Sequence, residues 1–455
     1  MRILCLTAAF TLALVAEAAQ NDPLALPRAE FQQAYARVAS SQPGDAVDSA
    51  ALRGYVLYPY LQAARLAQAL RTARLNVPPE LDEQIASFVR ANEGQPVAQD
   101  LRRSWLFGLA ERSQWARFAA FQRPNDEPAL RCHGFAARIE TQQADGISAD
   151  VAKAWLTPRS LPECERAFER LRSAGGLDAA LIEQRVRLAL QENNASLARQ
   201  LAQQLPPDRS APLLQWAALL ENPKREIDAL IASPQIAVET PTLLAGWARL
   251  ARADRSAARQ RFEPLMTSRG FDARAASPFA LALALPLSWD RDADALGYFA
   301  RVDAANFDDT AREWQARAAL WAGDWNQAAS SIASLSEANQ RTARWRYWSA
   351  RAAAVRGDEV RAKELYESVL PDDNYYSAMA AARLKRKVTP NAKPLAVDSA
   401  QIARVESQPA MLRARELRAS GLVRDAMAEW RFGQETLQPT AVAQAVHLAA
   451  RWGWF

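Results

Sequence analysis

Arg312-Glu313-Trp314-Gln315-Ala316-Arg317-Ala318-Ala319, running on through Gly323-Asp324 to Ala328, recurs as Arg346-Tyr347-Trp348-Ser349-Ala350-Arg351-Ala352-Ala353, followed by Gly357-Asp358 and Ala362. The offset of about 34 residues is the tetratricopeptide period. The apolar and alanine positions before each glycine form one helix face. Gly-Asp then ends that helix and turns the chain, and the alanine beyond lets a second helix pack close. Each copy therefore reads as an αα-hairpin. Weaker copies sit at Ala253-Asp254 with Ala258, at Gly421 with Ala426, and at Asn193 with Ala198. A hairpin of this kind buries its apolar face only against its neighbours, so the chain is expected to be an all-α, superhelical stack of such hairpins, a curved solenoid of about a dozen units.

Composition agrees. Alanine supplies about a fifth of the 455 residues, there are only 16 Gly, and β-branched types are sparse, which favours helix and starves a sheet. Phe279-Ala280-Leu281-Ala282-Leu283-Ala284-Leu285 alternates like a strand. Alanine fills its alternate places, however, and Pro278 and Pro286 bracket it, so it is read as a short buried helix. The 14 Trp are assigned chiefly to hairpin interfaces, with Trp314 and Trp348 as examples and sugar-stacking surfaces as the alternative.

The charge balance excludes several classes. With 56 Lys+Arg against 51 Asp+Glu the net charge is +5, too thin for a dedicated nucleic-acid surface. Two histidines, His133 and His447, and three cysteines give no zinc, haem or iron–sulfur spacing, and no metal or other cofactor is expected. Met1-Arg2, an apolar run from Ile3 to Val15, and Ala16-Glu17-Ala18 read as a signal peptide of residues 1–18. No later run is apolar for long enough to span a bilayer, and Cys5 precedes the apolar run, which disfavours lipid attachment. Export leaves Cys132 and Cys164, an even pair in an oxidising compartment, for which one disulfide is expected and two free buried thiols are the alternative. From Lys385 to Asp398, Lys and Pro replace apolar residues and mark an exposed linker.

Three blocks of sequence resemble the soluble lytic murein transglycosylases. The first comprises Tyr55-Val56-Leu57-Tyr58-Pro59-Tyr60-Leu61, Phe88-Val89-Arg90-Ala91-Asn92, and Leu106 through Leu109-Ala110 to Arg112 and Trp115. The second is Arg131-Cys132, with Trp155-Leu156-Thr157 and Pro162-Glu163-Cys164, similar to a segment that holds a disulfide in that family. The third runs from Tyr375-Tyr376-Ser377-Ala378-Met379-Ala380-Ala381 to Arg383-Leu384, then Arg415-Glu416-Leu417 and Glu429-Trp430, and is similar to the junction with the family's superhelical linker domain. The resemblance implies a periplasmic protein with a U-shaped, ring- or horseshoe-like helical domain over residues 19–384. A linker over 385–398 and the start of the superhelical linker domain over 399–455 would follow. Members of the family cleave the β-1,4 bond between N-acetylmuramic acid and N-acetylglucosamine in peptidoglycan, leaving a 1,6-anhydromuramoyl end.

The family's catalytic Glu-Ser and Gly-Leu-Met-Gln motifs find no counterpart. Glu367-Ser368 and Glu406-Ser407 lack the second motif, so the lysozyme-like catalytic domain is expected to be missing from these residues and no catalytic residue is assigned. A glycosidase acid must be held protonated in a cleft. The adjacent pairs Asp308-Asp309 and Asp372-Asp373 read instead as helix caps, and His133 beside Cys132 loses any thiolate partner if that cysteine is oxidised. The expected role is a non-catalytic scaffold that guides murein, with weak murein binding through arginine and possible contacts to other cell-wall proteins. A free-standing periplasmic protein-docking module is the alternative.

Overall fold

The computed structural model describes residues 22–40, 47–388 and 396–454, which form α-helices and three short 3-10 turns with no strand among them. The predicted leader and residues 389–395 of the predicted linker lie outside the described residues. No described helix is long and apolar enough to cross a membrane.

The hairpin grammar read from the repeats holds. Gly323 and Gly357 take left-handed φ values of 74° and 85°, a region where a side chain would be strained. Asp324 then accepts a hydrogen bond from the Gln327 backbone N–H at 2.9 Å, and Asp358 one from Arg361 at 3.1 Å, capping the second helix of each hairpin. Ala328 and Ala362 are buried where those helices meet their partners. Asp254 with Ala258, Gly421 with Ala426, and Asn193 with Ala198 occupy equivalent places in their own hairpins.

The chain divides into two compact units, residues 146–393 and residues 1–145 together with 394–455. In the first of these the Ala273–Trp289 helix buries Phe279, Ala280, Leu283, Ala284 and Leu287. It is longer than its sequence implies, because Pro278 and Pro286 lie inside it instead of bounding it. An interior proline costs about 3 kcal/mol. The two together cost about 6 kcal/mol, which full burial of two Leu and a Phe, each worth about 1.5–3 kcal/mol, offsets. The Trp247 indole N–H also binds the Phe279 carbonyl at 2.9 Å.

In the second unit the two ends of the chain interlock. Glu416, on the Pro409–Ala419 helix, is 0% exposed and accepts hydrogen bonds from Arg28 Nε at 2.8 Å, Arg28 Nη2 at 3.0 Å and the Tyr55 hydroxyl at 2.7 Å. Glu429, on the Val423–Glu435 helix, is also 0% exposed and takes two bonds from Arg413, both 2.9 Å, and one from the Tyr60 hydroxyl at 2.7 Å. Leu417 and Ala426 join the apolar core of the N-terminal helices. Gly433 admits the Pro409–Ala419 helix so closely that a Cβ there would stand 2.8 Å from Met411 Cε. A third buried carboxylate, Asp82, takes the Trp105 indole N–H at 2.7 Å and a forked pair from Arg112 at 2.8 and 2.9 Å. Burial opposes its ionisation, yet Arg112 and Trp105 together hold the carboxyl below its ordinary range.

Glu416→Ala leaves Tyr55 without its acceptor and Arg28 with Asp22 alone, and should lower the unfolding free energy by about 3 kcal/mol, whereas Tyr55→Phe should cost about 1 kcal/mol, both read by urea denaturation. Equal costs would show that the carboxylate does not hold the ends together. Asp82 contributes stability that is complete above its unfolded pKa, about 4, and is lost as pH falls through its lower folded value. The stability gap between wild type and Asp82→Asn should therefore be about 3 kcal/mol at pH 7 and close steadily below pH 4.

Candidate functional site

Most of the carboxylates considered from sequence are engaged by cations or backbone amides, while Asp373 lines a small cavity of about 200 Å³ together with Arg386 and Lys387. Glu367 pairs with Arg386 at 2.6 Å on an exposed helix, and Glu406 lies 3.3 Å from Arg415 and 3.7 Å from Arg451. Asp308 caps the Asp309–Ala322 helix through the Ala311 N–H. Asp309 binds Ser336 N–H and the Asn339 amide, both at 2.8 Å, and these bonds lower its pKa. Asp372 pairs with Arg346 and Asp373 takes a left-handed φ of 49°, so neither caps a helix as the sequence suggested; Asn374 caps the Tyr375–Arg383 helix instead. His133 lies edge-on to Phe107 and Phe118, which is a packing role. Cys132 and Cys164 are both buried and both disulfide-bonded.

What the fold does gather is arginine. Many arginines are offset by a carboxylate a turn away on the same helix, as in Arg187–Glu183 and Arg317–Glu313, both 2.8 Å. Such pairs hold side chains in register for a few tenths of a kcal/mol. Between the hairpins of the clear repeats, a groove of about 580 Å³ is lined by Arg341, Arg346, Arg356 and Arg361 over a floor that includes Ile332 and Leu365. Arg341 is tied to Glu337, Arg346 to Asp372 and the Ser368 carbonyl, and Arg361 to Glu364. Arg356, which follows the Ala343–Val355 helix, makes no ion pair among the described residues. Glu337 and Asp358 also line the groove, and the Asp358 carboxylate is engaged as a cap. The groove thus offers fixed planar donors suited to carboxylates. Its signal in the sequence is the repeat itself, since Arg356 stands immediately before Gly357; which arginines converge depends on how the hairpins stack.

A second cavity, about 360 Å³, lies in the other unit between the helices Ala25–Ala39, Tyr58–Ala73, Pro96–Glu111 and Val423–Glu435. Tyr35, Arg71, Asp100, Arg424 and Asp425 supply its polar lining. Burial pushes the Asp425 carboxyl up, and Arg424, 3.7 Å away, works against that shift. Sequence reasoning passed over Asp425, because an aspartate in the first turn of a helix is ordinary and its burial depends on residues more than 300 positions earlier. Among the described residues no group of His, Cys, Asp and Glu could hold a metal ion.

These features define an all-helical hairpin-repeat protein with a basic groove and buried acidic ties between its ends. The family model for the soluble lytic murein transglycosylase L domain matches residues 404–455. The chain is 27% identical over 411 residues to the soluble lytic murein transglycosylase of Escherichia coli K12, and 27% identical over 415 residues to that of Salmonella typhimurium. Each match covers 89% of this chain and 62% of the relative, so the chain spans about three fifths of the length of these relatives. The crystal structure of the 70 kDa soluble lytic transglycosylase from Escherichia coli superposes with a TM-score of 0.76 at 24% identity, covering 95% of this chain and 69% of that one. Its complex with bulgecin A gives 0.75, and the lytic transglycosylase of Pseudomonas aeruginosa 0.68. The chain is a homologue of the soluble lytic murein transglycosylases. A cucumovirus coat protein model also matches residues 137–243, where the structure shows helices and nothing that bears on that likeness.

Thiol titration of the denatured, unreduced protein should find no thiol beyond that of Cys5, and none once residues 1–18 are removed. Reduction should then expose two thiols and cost about 3–4 kcal/mol of stability, for a closed loop of about 33 residues. Two reactive thiols without reductant would contradict the disulfide.

Proposed function

We propose that these residues form the non-catalytic, substrate-guiding scaffold of a periplasmic lytic murein transglycosylase, with residues 1–18 as its signal peptide. In this reading residues 19–384 form the U-shaped helical domain, 385–398 a linker, and 399–455 the start of the superhelical linker domain. The observation that carries it is the likeness over 89% of the chain to enzymes named soluble lytic murein transglycosylases, together with the L-domain match at 404–455. Murein bears carboxylates on its stem peptides, and on lactyl groups wherever the peptide has been removed, and the arginine groove supplies matching donors. Attraction at such a site is modest, because three of its four arginines already have carboxylate partners. Weak contacts of this kind hold a polymer without trapping it. Glu367 and Glu406 are paired with arginines and Asp308 acts as a cap, so in this reading these residues bind murein and leave its glycosidic bonds intact.

The protein should co-sediment with purified murein sacculi at low ionic strength. Pelleting should fall steeply as salt shortens the Debye length from about 10 Å at 0.1 M to 3 Å at 1 M. Arg356→Ala combined with Arg361→Ala should weaken pelleting about threefold to tenfold, since each lost exposed charge contact is worth about 0.3–0.7 kcal/mol. The same samples should release no 1,6-anhydromuropeptides. Absence of pelleting in low-salt buffer would favour a protein-docking role, and anhydro product from these residues would reveal an acid in them.

A further inference from the structure

Trp289 and Trp321 are 42% and 44% exposed, which sets them apart from the fully buried Trp105, Trp155, Trp247 and Trp345. They flank Trp314, whose ring centroid lies 6.3 Å from each of theirs, so the three indoles form a run of ring contacts between the Ala273–Trp289 and Asp309–Ala322 helices, with Trp314 half-buried between its two exposed neighbours. Guanidinium groups cover parts of it: Arg291 lies 5.1 Å from the Trp321 ring and Arg317 4.8 Å from that of Trp314. Arg317 is neutralised by Glu313 at 2.8 Å. Arg291 makes no ion pair among the described residues, and its neighbours Asp290 and Asp292 are already taken by Arg255 and Arg259.

The backbone at Arg291 adds a second observation. Arg291 ends its helix with φ 57°, and the amides of Arg291 and Asp292 close the turn onto the Ser288 and Leu287 carbonyls at 3.1 and 2.9 Å. The left-handed position is glycine in the two clear repeats, Gly323 and Gly357, and a larger residue at other helix ends, as at Arg74, Ser113, Gln142 and Lys385. At Arg291 the residue in this position places its guanidinium beside an exposed indole, where a glycine would present nothing.

Resting on the murein reading above, we infer that Trp289, Trp314, Trp321 and Arg291 form a glycan subsite. In it the indoles stack on the apolar faces of aminosugar rings and Arg291 receives a carboxylate carried on the sugar. Exposed indoles take up the C–H faces of pyranose rings, which desolvate at little cost, and the guanidinium adds a charge-assisted bond. The two kinds of group side by side select an acidic polysaccharide. A neutral one gains only the stacking, and an acidic peptide only the charge.

The decisive variant is Arg291→Gly, which removes the guanidinium while relieving the backbone, with Trp321→Ala as its companion. Binding is measured as sedimentation with whole sacculi and with sacculi stripped of stem peptides by an amidase, and tryptophan fluorescence is followed with the soluble glycan strands. Wild type should bind the stripped glycan with a change in indole emission. Arg291→Gly should keep or raise the melting temperature yet weaken glycan binding at least threefold, and Trp321→Ala should weaken it comparably and abolish most of the emission change. Unchanged glycan binding in both variants would overturn the subsite and leave murein binding by the arginine groove standing. Wild type that binds whole sacculi but not stripped glycan would also overturn it, because the ligand would then be the stem peptide. Wild type that binds neither material would remove the murein reading together with the subsite.

Discussion

Two carboxylates withdrawn from water, Glu416 and Glu429, set the terms for the unit that contains both ends of the chain. An ionised carboxylate without partners in an apolar interior costs several kcal/mol, so each must find donors in one arrangement or not be buried at all. Donors reach Glu416 from 361 and 388 positions away, through Tyr55 and Arg28, while Glu429 combines the nearby Arg413 with Tyr60, 369 positions away. Apolar packing alone would tolerate sliding of one helix past another. Forked and hydroxyl bonds to a buried carboxylate do not, because a shift of a turn would leave charges unpaired. The N-terminal helices can complete this core only after the last helices exist, which makes this the high-contact-order part of the molecule.

Residues 146–393 obey a different logic. Each hairpin there is closed by its own turn and cap, as Gly323-Asp324 and Gly357-Asp358 show, and buries its apolar face mainly against the hairpins next to it. Stability is then a sum of short-range terms, and a local irregularity stays local. The two interior prolines of the Ala273–Trp289 helix are an instance: the helix runs through both because its buried side and the Trp247 bond to the Phe279 carbonyl hold it.

Much of this was legible in the sequence, and the parts that were not share a cause. The hairpin signature depends on positions within a few residues of one another, so the αL glycines, the capping aspartates and the packed alanines could be read directly. Tyr55 and Tyr60, and Glu416 and Glu429, stood out as blocks of family likeness at opposite ends of the chain, yet nothing in either block tells that one binds the other. The break in composition near Lys385 to Asp398 likewise marks a boundary along the chain, while residues 394–455 pack in one compact unit with residues 1–145. Pairing between distant segments is a property of the assembled core and leaves no local period. The same holds for Asp425, unremarkable in its helix and half-buried only because the Ala25–Ala39, Tyr58–Ala73 and Pro96–Glu111 helices surround it. Trp289 and Trp321 escaped a general assignment of tryptophan to hairpin interfaces because exposure at a helix end depends on which neighbour covers it.

The arginine-rich composition acquires a physical meaning from this geometry. Lysine in these places would present a mobile point charge with a large hydration shell. Arginine can hold a carboxylate with one edge of its fork and still offer its face or its other edge outward. Arg317 does both, bonded to Glu313 while lying over the Trp314 ring, and Arg346 holds both Asp372 and the Ser368 carbonyl at the edge of the groove. A surface built this way carries many fixed donors at a net charge of only +5. On the proposed reading, affinity for an anionic polymer would come from several weak contacts engaged at once and not from a strong general field. Binding distributed over several such sites would let a strand be held firmly as a whole while each contact opens easily, because the remaining contacts keep the detached segment at high effective concentration. That combination is what a scaffold of the proposed kind would require if a long strand is to move along it.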